Sequence, residues 1–194
     1  LHLCSHNLET IETKSMTTHD LLLEVCMAAK YEGQSITGYY PQYQNKYGDS
    51  PSEMCTMLAR SFADIGDIVR GRDLFYGNPQ EKDQRKKLQQ NLKKIFKQIH
   101  DKLFKDNEKA KDRYKGDPYY YQLREDWWTA NRHTVWKAIT CNAGGNTYFR
   151  TTACNGGKSS TPNKYCRCGN DQPGQDKANT DPPTYFDYVP QYLR

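Results

Sequence analysis

The sequence predicts an all-α fold, a disulfide-stapled helical bundle with long irregular loops. Apolar residues recur at helical spacing in five stretches, and no stretch shows the alternation typical of a β-strand. Seven cysteines among 194 residues suit an oxidising compartment in which disulfides form. After residue 141, glycine, proline and short polar residues predominate, which indicates loops rather than regular structure.

The first two helices are expected near the N-terminus. The first spans Leu3 to about Glu12. The second begins after Thr18-His19-Asp20, and one face of it carries Leu22, Val25, Cys26 and Ala29. Gly33 is expected to end this helix, and residues 33–49, which include Tyr39, Tyr40, Tyr43 and Tyr47, are expected to form a loop.

The third helix has a clear start signal. Ser50 is a suitable N-cap, Pro51 suits the first helical position, and Glu53 completes a capping box. The helix is expected to end near Gly71. Its buried face consists of Cys55, Leu58, Phe62, Ile65 and Val69.

The fourth helix is expected from about Glu81 to Lys111, with one apolar and one basic face. The apolar stripe consists of Leu88, Leu92, Ile95, Ile99 and Leu103. The opposite side, called the lysine face below, consists of Lys86, Lys87, Lys93, Lys94, Lys97 and Lys105.

The fifth helix is expected from about Leu123 to Cys141, after a turn at residues 117–121. Its bulky residues are Trp127, Trp128, Val135, Trp136 and Ile139. Residues 142–194 are expected to be loop, and the apolar stretch at 185–193 is expected to begin another helix.

The cysteine spacing favours disulfides over a zinc site. The candidates are Cys4, Cys26, Cys55, Cys141, Cys154, Cys166 and Cys168. One Cys-x-Cys pair with distant single cysteines does not match the paired knuckles of structural zinc sites. Cys166 and Cys168 are expected to tie the loop to two separate places. For Cys26 and Cys55 two kinds of disulfide remain as alternatives, one with each other and one with Cys141. The odd count leaves at least one thiol without a partner in this chain, and Cys4 is the main candidate.

No pattern in the sequence indicates catalysis. Nucleophile elbows, phosphate-binding loops and metal-ligand histidine spacings do not occur, so we expect no enzyme activity, no metal and no cofactor. The acidic residues Asp64, Asp67 and Asp73 lie close in sequence to Arg70 and Arg72. We interpret this group as ion pairs on a helix surface.

Charge gives the main functional indication. Residues 81–115 contain 13 basic and 6 acidic residues, a net charge of +7, whereas the rest of the chain has a net charge of −2. The lysine face is therefore the candidate site for a polyanion such as a sulfated glycan. Its alternative interpretation is an ordinary solvated helix face. The tyrosine-rich loops are candidates for stacking on sugars or bases, although exposed tyrosine is also common at any protein interface.

Three sequence blocks resemble one family. They lie at residues 59–75, 125–141 and 187–194, and Leu3-Cys4 with Asn7-Leu8 matches a fourth, shorter block. These blocks resemble the alpha-type Duffy-binding-like domains of the Plasmodium falciparum erythrocyte membrane protein 1 family, the variant surface adhesins of malaria. The resemblance implies that residues 1–15 end a first subdomain, 16–141 form a helix-bundle second subdomain, and 142–194 begin a third. The chain is thus expected to be a piece of a longer protein.

The resemblance also implies a function. Such a domain would lie on the surface of the infected erythrocyte, anchored elsewhere in the protein, and would bind a host receptor in cytoadherence or rosetting without catalysing a reaction. Receptor candidates are heparan sulfate, a blood-group sugar or complement receptor on erythrocytes or endothelium. It would be antigenically variable and contribute to virulence. The alternatives are a structural spacer whose receptor site lies outside these residues and, less favoured, a nucleic-acid-binding module.

Overall fold

The computed structural model describes residues 17–47, 53–74, 77–106, 108–144, 154, 162–178 and 180–194. These residues form α1 (Thr18–Tyr47), α2 (Glu53–Arg70), α3 (Pro79–Asp106), α4 (Glu108–Arg113) and α5 (Tyr121–Ile139). Two short 3₁₀ turns follow, Phe186–Tyr188 and Gln191–Leu193. The described ranges contain isolated β-bridges but no strand. The predicted all-α, disulfide-linked fold is confirmed.

The core lies where α1, α2 and α5 pack together. The α2 face predicted from the sequence is buried in full, namely Cys55, Leu58, Phe62, Ile65 and Val69. On α5 the three tryptophans are buried as well. The Phe62 ring lies 5.1 Å from the rings of both Trp128 and Trp136, so aromatic packing joins α2 to α5.

Helix α1 is longer than the sequence predicts. It continues through Gly33 and Pro41 to Tyr47, so the expected loop is wrong for residues 33–47, and residues 48–49 lie outside the described part of the chain. Gly33 has a packing role instead: a Cβ atom on it would lie 1.9 Å from the carbonyl oxygen of Ile139 on α5. The absence of a side chain therefore allows α1 and α5 to approach closely.

The predicted fourth helix is two helices. α3 ends at Asp106 and α4 begins at Glu108, where a single helix to Lys111 was expected. The apolar stripe is largely confirmed, because Leu88, Leu92, Ile95 and Ile99 are buried and Leu103 is partly buried; Phe96, which the stripe omitted, is buried too. Asn78 and Glu81 cap the start of α3 by exchanging side-chain-to-backbone hydrogen bonds.

Residues 180–194 pack on α2 and α5 without forming the expected α-helix. The buried carboxylate of Asp187 accepts hydrogen bonds from Trp128 Nε1 (2.9 Å) and from Arg132 Nε (2.7 Å) and Nη2 (2.8 Å). Arg132 Nη2 also donates to the carbonyl of Thr184 at 2.9 Å. Polar contacts thus determine the path of this segment. For this reason the apolar stretch at 185–193 gave a misleading prediction of an α-helix.

The charged group at residues 64–73 is only partly at the surface, which corrects the expectation of surface ion pairs: Asp67 and Arg70 are buried, whereas Asp64 and Asp73 are half-buried and Arg72 is exposed. Asp67 and Arg70 are 5% and 1% exposed, and Asp67 Oδ1 lies 2.9 Å from Arg70 Nη2. Arg194 donates to both Asp64 and Asp67. The C-terminal segment covers these charges, a packing that α2 alone could not reveal.

Several predictions lie outside the described residues. They concern the helix at Leu3–Glu12, the pairing of Cys4, the segment 1–15, and the capping roles of Ser50 and Pro51.

Candidate functional site

The lysine face lies on the side of α3 opposite its buried stripe. All six lysines are exposed. At about 100° per residue they occupy an arc of about 120°, centred away from Leu88, Leu92 and Ile95. Helical periodicity alone produces this arrangement, because the apolar stripe must face α5 and the rest of the core.

Most of these ammonium groups are free of counter-charge. Lys97 Nζ lies 2.5 Å from Asp101, which raises the pKa of Lys97, and Lys93 Nζ lies 4.3 Å from the centre of the Tyr119 ring. The other four lysines have no ion pair with the described residues. An unpaired, exposed row of cations attracts polyanions and does so less strongly as salt rises.

A pocket of about 480 Å³ borders the N-terminal half of the lysine face. Helix α3 contributes Arg85, Lys86, Gln89, Gln90 and Lys93 to its lining. The other lining residues are Gly71 and Asp73 after α2, Tyr119 before α5, and Tyr121 and Arg124 on α5. We call it the tyrosine pocket. Of the predicted site residues it brings together only Lys86 and Lys93.

Sequence reasoning missed several residues of this pocket. Arg85 and Gln89 lie on α3 and Arg124 lies on α5, and no local motif links the two helices. The basic charge of residues 81–115 and the tyrosine run at 119–121 were visible as separate signals. Only the packing of α3 beside the start of α5 brings the two together.

Two disulfides link the described cysteines. Cys55 of α2 pairs with Cys166, and Cys154 pairs with Cys168. Cys166 and Cys168 thus reach two separate places, whereas the pairings of Cys55 with Cys26 or Cys141 are wrong. Cys26 and Cys141 are thiols, and burial raises the pKa of Cys26 to about 11. The Cys55–Cys166 disulfide therefore holds the loop region near residue 166 on the core.

The cysteine thiols border a second cavity, on the other side of α5. Cys26, His133, Lys137 and Cys141 line it, with Arg167. Burial lowers the pKa of His133, so its imidazole is neutral at pH 7. In the described part of the chain no group of three or more His, Cys, Asp or Glu side chains is placed to hold a metal ion.

These features define a class: a disulfide-linked helical domain with an aromatic core and a basic, partly aromatic surface. The Duffy binding domain family matches residues 1–194. The chain belongs to the Duffy binding domain family.

Solved structures of the same family are similar along nearly the whole chain. The NTS-DBL1-alpha and CIDR-gamma double domain of the Plasmodium falciparum varO PfEMP1 is 36% identical with a TM-score of 0.70, covering 99% of this chain and 25% of that one. The varO NTS-DBL1(alpha-1) domain alone is 38% identical, with a TM-score of 0.69 and coverages of 99% and 40%. A PfEMP1 DBLbeta domain bound to ICAM-1 is 34% identical, with a TM-score of 0.65 and coverages of 99% and 40%.

The chain therefore spans 25% to 40% of the length of these three solved chains. Comparison with curated proteins gives no match. Within the described ranges, every helix is too short or too polar to pass through a lipid bilayer.

Proposed function

We propose that the chain is part of a receptor-binding adhesion module of a parasite protein displayed on infected erythrocytes, and that it contacts a sulfated glycan through the lysine face. The observation that carries this proposal is the exposed lysine row on α3, five of whose six members lack an ion-pair partner among the described residues. In this proposal residues 16–141 form the helix-bundle subdomain that presents α3.

Family membership supports receptor binding. The DBLbeta relative bound to ICAM-1 is a receptor-binding member of the family with the same helical architecture. A host surface receptor is accordingly the partner class that we assign, and rosetting or cytoadherence is the process. No catalytic role is included, because the sequence contains no recognisable catalytic motif.

Charge density favours a sulfated polymer as the ligand. Sulfates repeat along such a chain at spacings comparable to the turns of a helix, so several lysines contact one molecule. Each contact displaces a counterion, and affinity then falls steeply with salt. A protein-only receptor site would show a weaker dependence.

The test measures retention on immobilised heparin across a salt series. The variant Lys87→Glu, Lys94→Glu, Lys105→Glu changes the part of the lysine face outside the tyrosine pocket. The matched control, Lys30→Glu, Lys115→Glu, Lys177→Glu, makes the same charge change at exposed positions off α3. We expect the α3 variant to elute at much lower salt than wild type and the control to elute close to it.

Three results would contradict the proposal. Equal shifts in both variants would show that net charge alone governs retention. No retention of the wild-type protein, with native helicity confirmed by circular dichroism, would favour the spacer alternative. Preference for DNA over heparin at equal charge density would instead favour the nucleic-acid alternative.

A further inference from the structure

One buried arginine differs from the others. Arg70, Arg132 and Arg167 are 1%, 5% and 2% exposed, and each has an aspartate partner. Arg124 is 3% exposed, yet its hydrogen bonds go to the carbonyls of Ile68 and Val69 and to Gln89 Oε1, all neutral. Among the described residues no carboxylate forms an ion pair with it, although the charge of Asp117 acts on it from farther away. A buried cation without a counter-charge in contact is unfavourable, so its position calls for an explanation.

Arg124 has a hydrogen-bond donor available beside the tyrosine pocket. Nε and Nη2 are used by the three neutral acceptors, whereas Nη1 makes no hydrogen bond to a described residue. Nη1 lies beside Gly71, where a Cβ atom would come within 2.9 Å of it. Gly71 has φ +75°, a conformation natural for glycine, and both residues line the pocket. Burial lowers the pKa of Arg124 to about 10, so it stays charged at pH 7.

The rest of the pocket adds positive charge. Arg85, Lys86, Lys93 and Arg124 face a single carboxylate, that of Asp73, which gives a net charge of +3 among the lining residues. Arg85 Nε lies 3.7 Å from Asp73, and none of the other three cations forms an ion pair with a described residue. Such a concave basic site concentrates the field on a small anion more strongly than a flat face does.

The wall of the pocket is aromatic. The rings of Tyr119 and Tyr121 stack at 5.6 Å with an angle of 27° between their planes, and each residue is about half exposed, 52% and 50%. Tyr120 between them has φ 59°, and its ring lies against His100 instead. The left-handed backbone at Tyr120 thus leaves the rings of Tyr119 and Tyr121 stacked on each other at the pocket. Flat, exposed tyrosine rings offer apolar surface for the C–H face of a sugar, and their hydroxyls offer hydrogen bonds.

We propose that the tyrosine pocket binds one anionic hexose unit of a glycan, its sulfate or carboxylate at Arg124 and Lys86 and its ring against Tyr119 and Tyr121. This inference rests on the proposed function, because it makes the pocket the specific subsite at one end of the lysine face. Gln90, exposed on the pocket rim, supplies an amide for the sugar hydroxyls. The lysine face would then contribute affinity for the glycan polymer, and the pocket would contribute selectivity for one of its sugar units.

The test uses short ligands that cannot span the lysine face. The probes are the trisulfated heparin disaccharide, its fully desulfated form, which keeps the carboxylate, and its carboxyl-reduced form, which keeps the sulfates. Binding is measured by titration calorimetry and by NMR of the arginine Nε–H signals. We expect the Arg124 signal to shift with the trisulfated disaccharide. The dissociation constant should rise at least tenfold in Tyr121→Ala and in Gln90→Glu and stay unchanged in Tyr39→Ala, an equally exposed tyrosine on α1.

The outcomes separate this inference from the proposed function. Binding of only one modified disaccharide identifies the recognised group as sulfate or carboxylate, and either result supports the pocket. Unchanged affinity in Tyr121→Ala and Gln90→Glu, or no disaccharide binding while the polymer binds, would overturn the pocket and leave the lysine face standing. If the disaccharide binds but the α3 triple variant does not change heparin retention, the pocket would stand and the proposed role of the lysine face would be overturned.

Discussion

Two regions of the molecule use charge in opposite ways. The frame consists of α1, α2, α5 and residues 180–194, and the arm consists of α3 and α4. In the frame, Arg132 and Asp187 are 5% and 1% exposed and lie 2.7 Å apart. In the arm, the six lysines of the lysine face are exposed, and only Lys97 is ion-paired with a described residue.

This difference separates residues that stabilise the fold from residues that are available for binding. Removing one member of a buried pair leaves the other charge desolvated and without compensation. An exposed ammonium group contributes little to stability and keeps its charge for a ligand. Substitutions in the frame are therefore expected to change the free energy of unfolding, and substitutions on the arm are expected to change binding.

The largest effect is expected at Asp187. Its replacement by alanine removes the acceptor shared by Arg132 and Trp128 and leaves the guanidinium buried. We expect the free energy of unfolding in urea to fall by about 3–5 kcal/mol. Asp83→Ala, the same substitution at an exposed position on α3, should change it by less than about 0.5 kcal/mol. Similar losses at both positions would remove the distinction between frame and arm.

A second contrast lies within α1 itself. Gly33→Ala would place a Cβ atom 1.9 Å from the carbonyl oxygen of Ile139, so α1 and α5 must separate. We expect a loss of about 3 kcal/mol, the upper range for overpacking. Gly38 has no atom within 4 Å of such a Cβ, and Gly38→Ala should stabilise the helix by about 0.5–1 kcal/mol. Equal effects of the two substitutions in thermal unfolding would refute the packing role of Gly33.

Sequence periodicity was sufficient for elements whose apolar face points at one neighbour. The α2 stripe and the α5 tryptophans were predicted correctly for this reason. Gly33 was misread because a glycine that ends a helix and a glycine that lets two helices touch look alike in one sequence. Similarly, the sequence around Asp67 and Arg70 indicates a helix surface. The segment that covers these two residues lies more than 110 residues later in the chain, so the local sequence does not indicate their burial.

The candidate site was predicted only in part. The lysine face follows from helical geometry, so its exposure could be foreseen. The tyrosine pocket depends on how α3 lies beside α5, and its central residue, Arg124, is distinguished by having no carboxylate in ion-pair contact in the described part of the chain. A missing partner in space leaves no signal in the sequence.

The smallest effect is expected from acid, and it should appear first in the arm. At the end of α4, Arg113 Nε donates to Asp126 of α5 at 2.5 Å, and the Tyr114 hydroxyl donates at 2.8 Å. The hydrogen bonds from Arg113 hold the pKa of Asp126 below its ordinary value near 3.8. A carboxylate with a lowered folded-state pKa adds stability above pH 3.8 that is lost as the pH falls through the lowered pKa.

Acid has the opposite effect on stability at two carboxylates of the frame, that of half-buried Asp64 and that of buried Asp67. Burial raises the pKa of Asp64 and Asp67, so their ionisation disfavours the folded state as the pH rises above 3.8, and acid relieves that cost. Hydrogen exchange followed from pH 6 to pH 2.5, with correction for the intrinsic rate, should therefore show residues 108–117 losing protection before α2 does. Asp126→Asn should lack protection at 108–117 already at pH 6. Simultaneous loss in α2 and α4 would mean that the arm is not an independent unit and that the lysine face shares the stability of the frame.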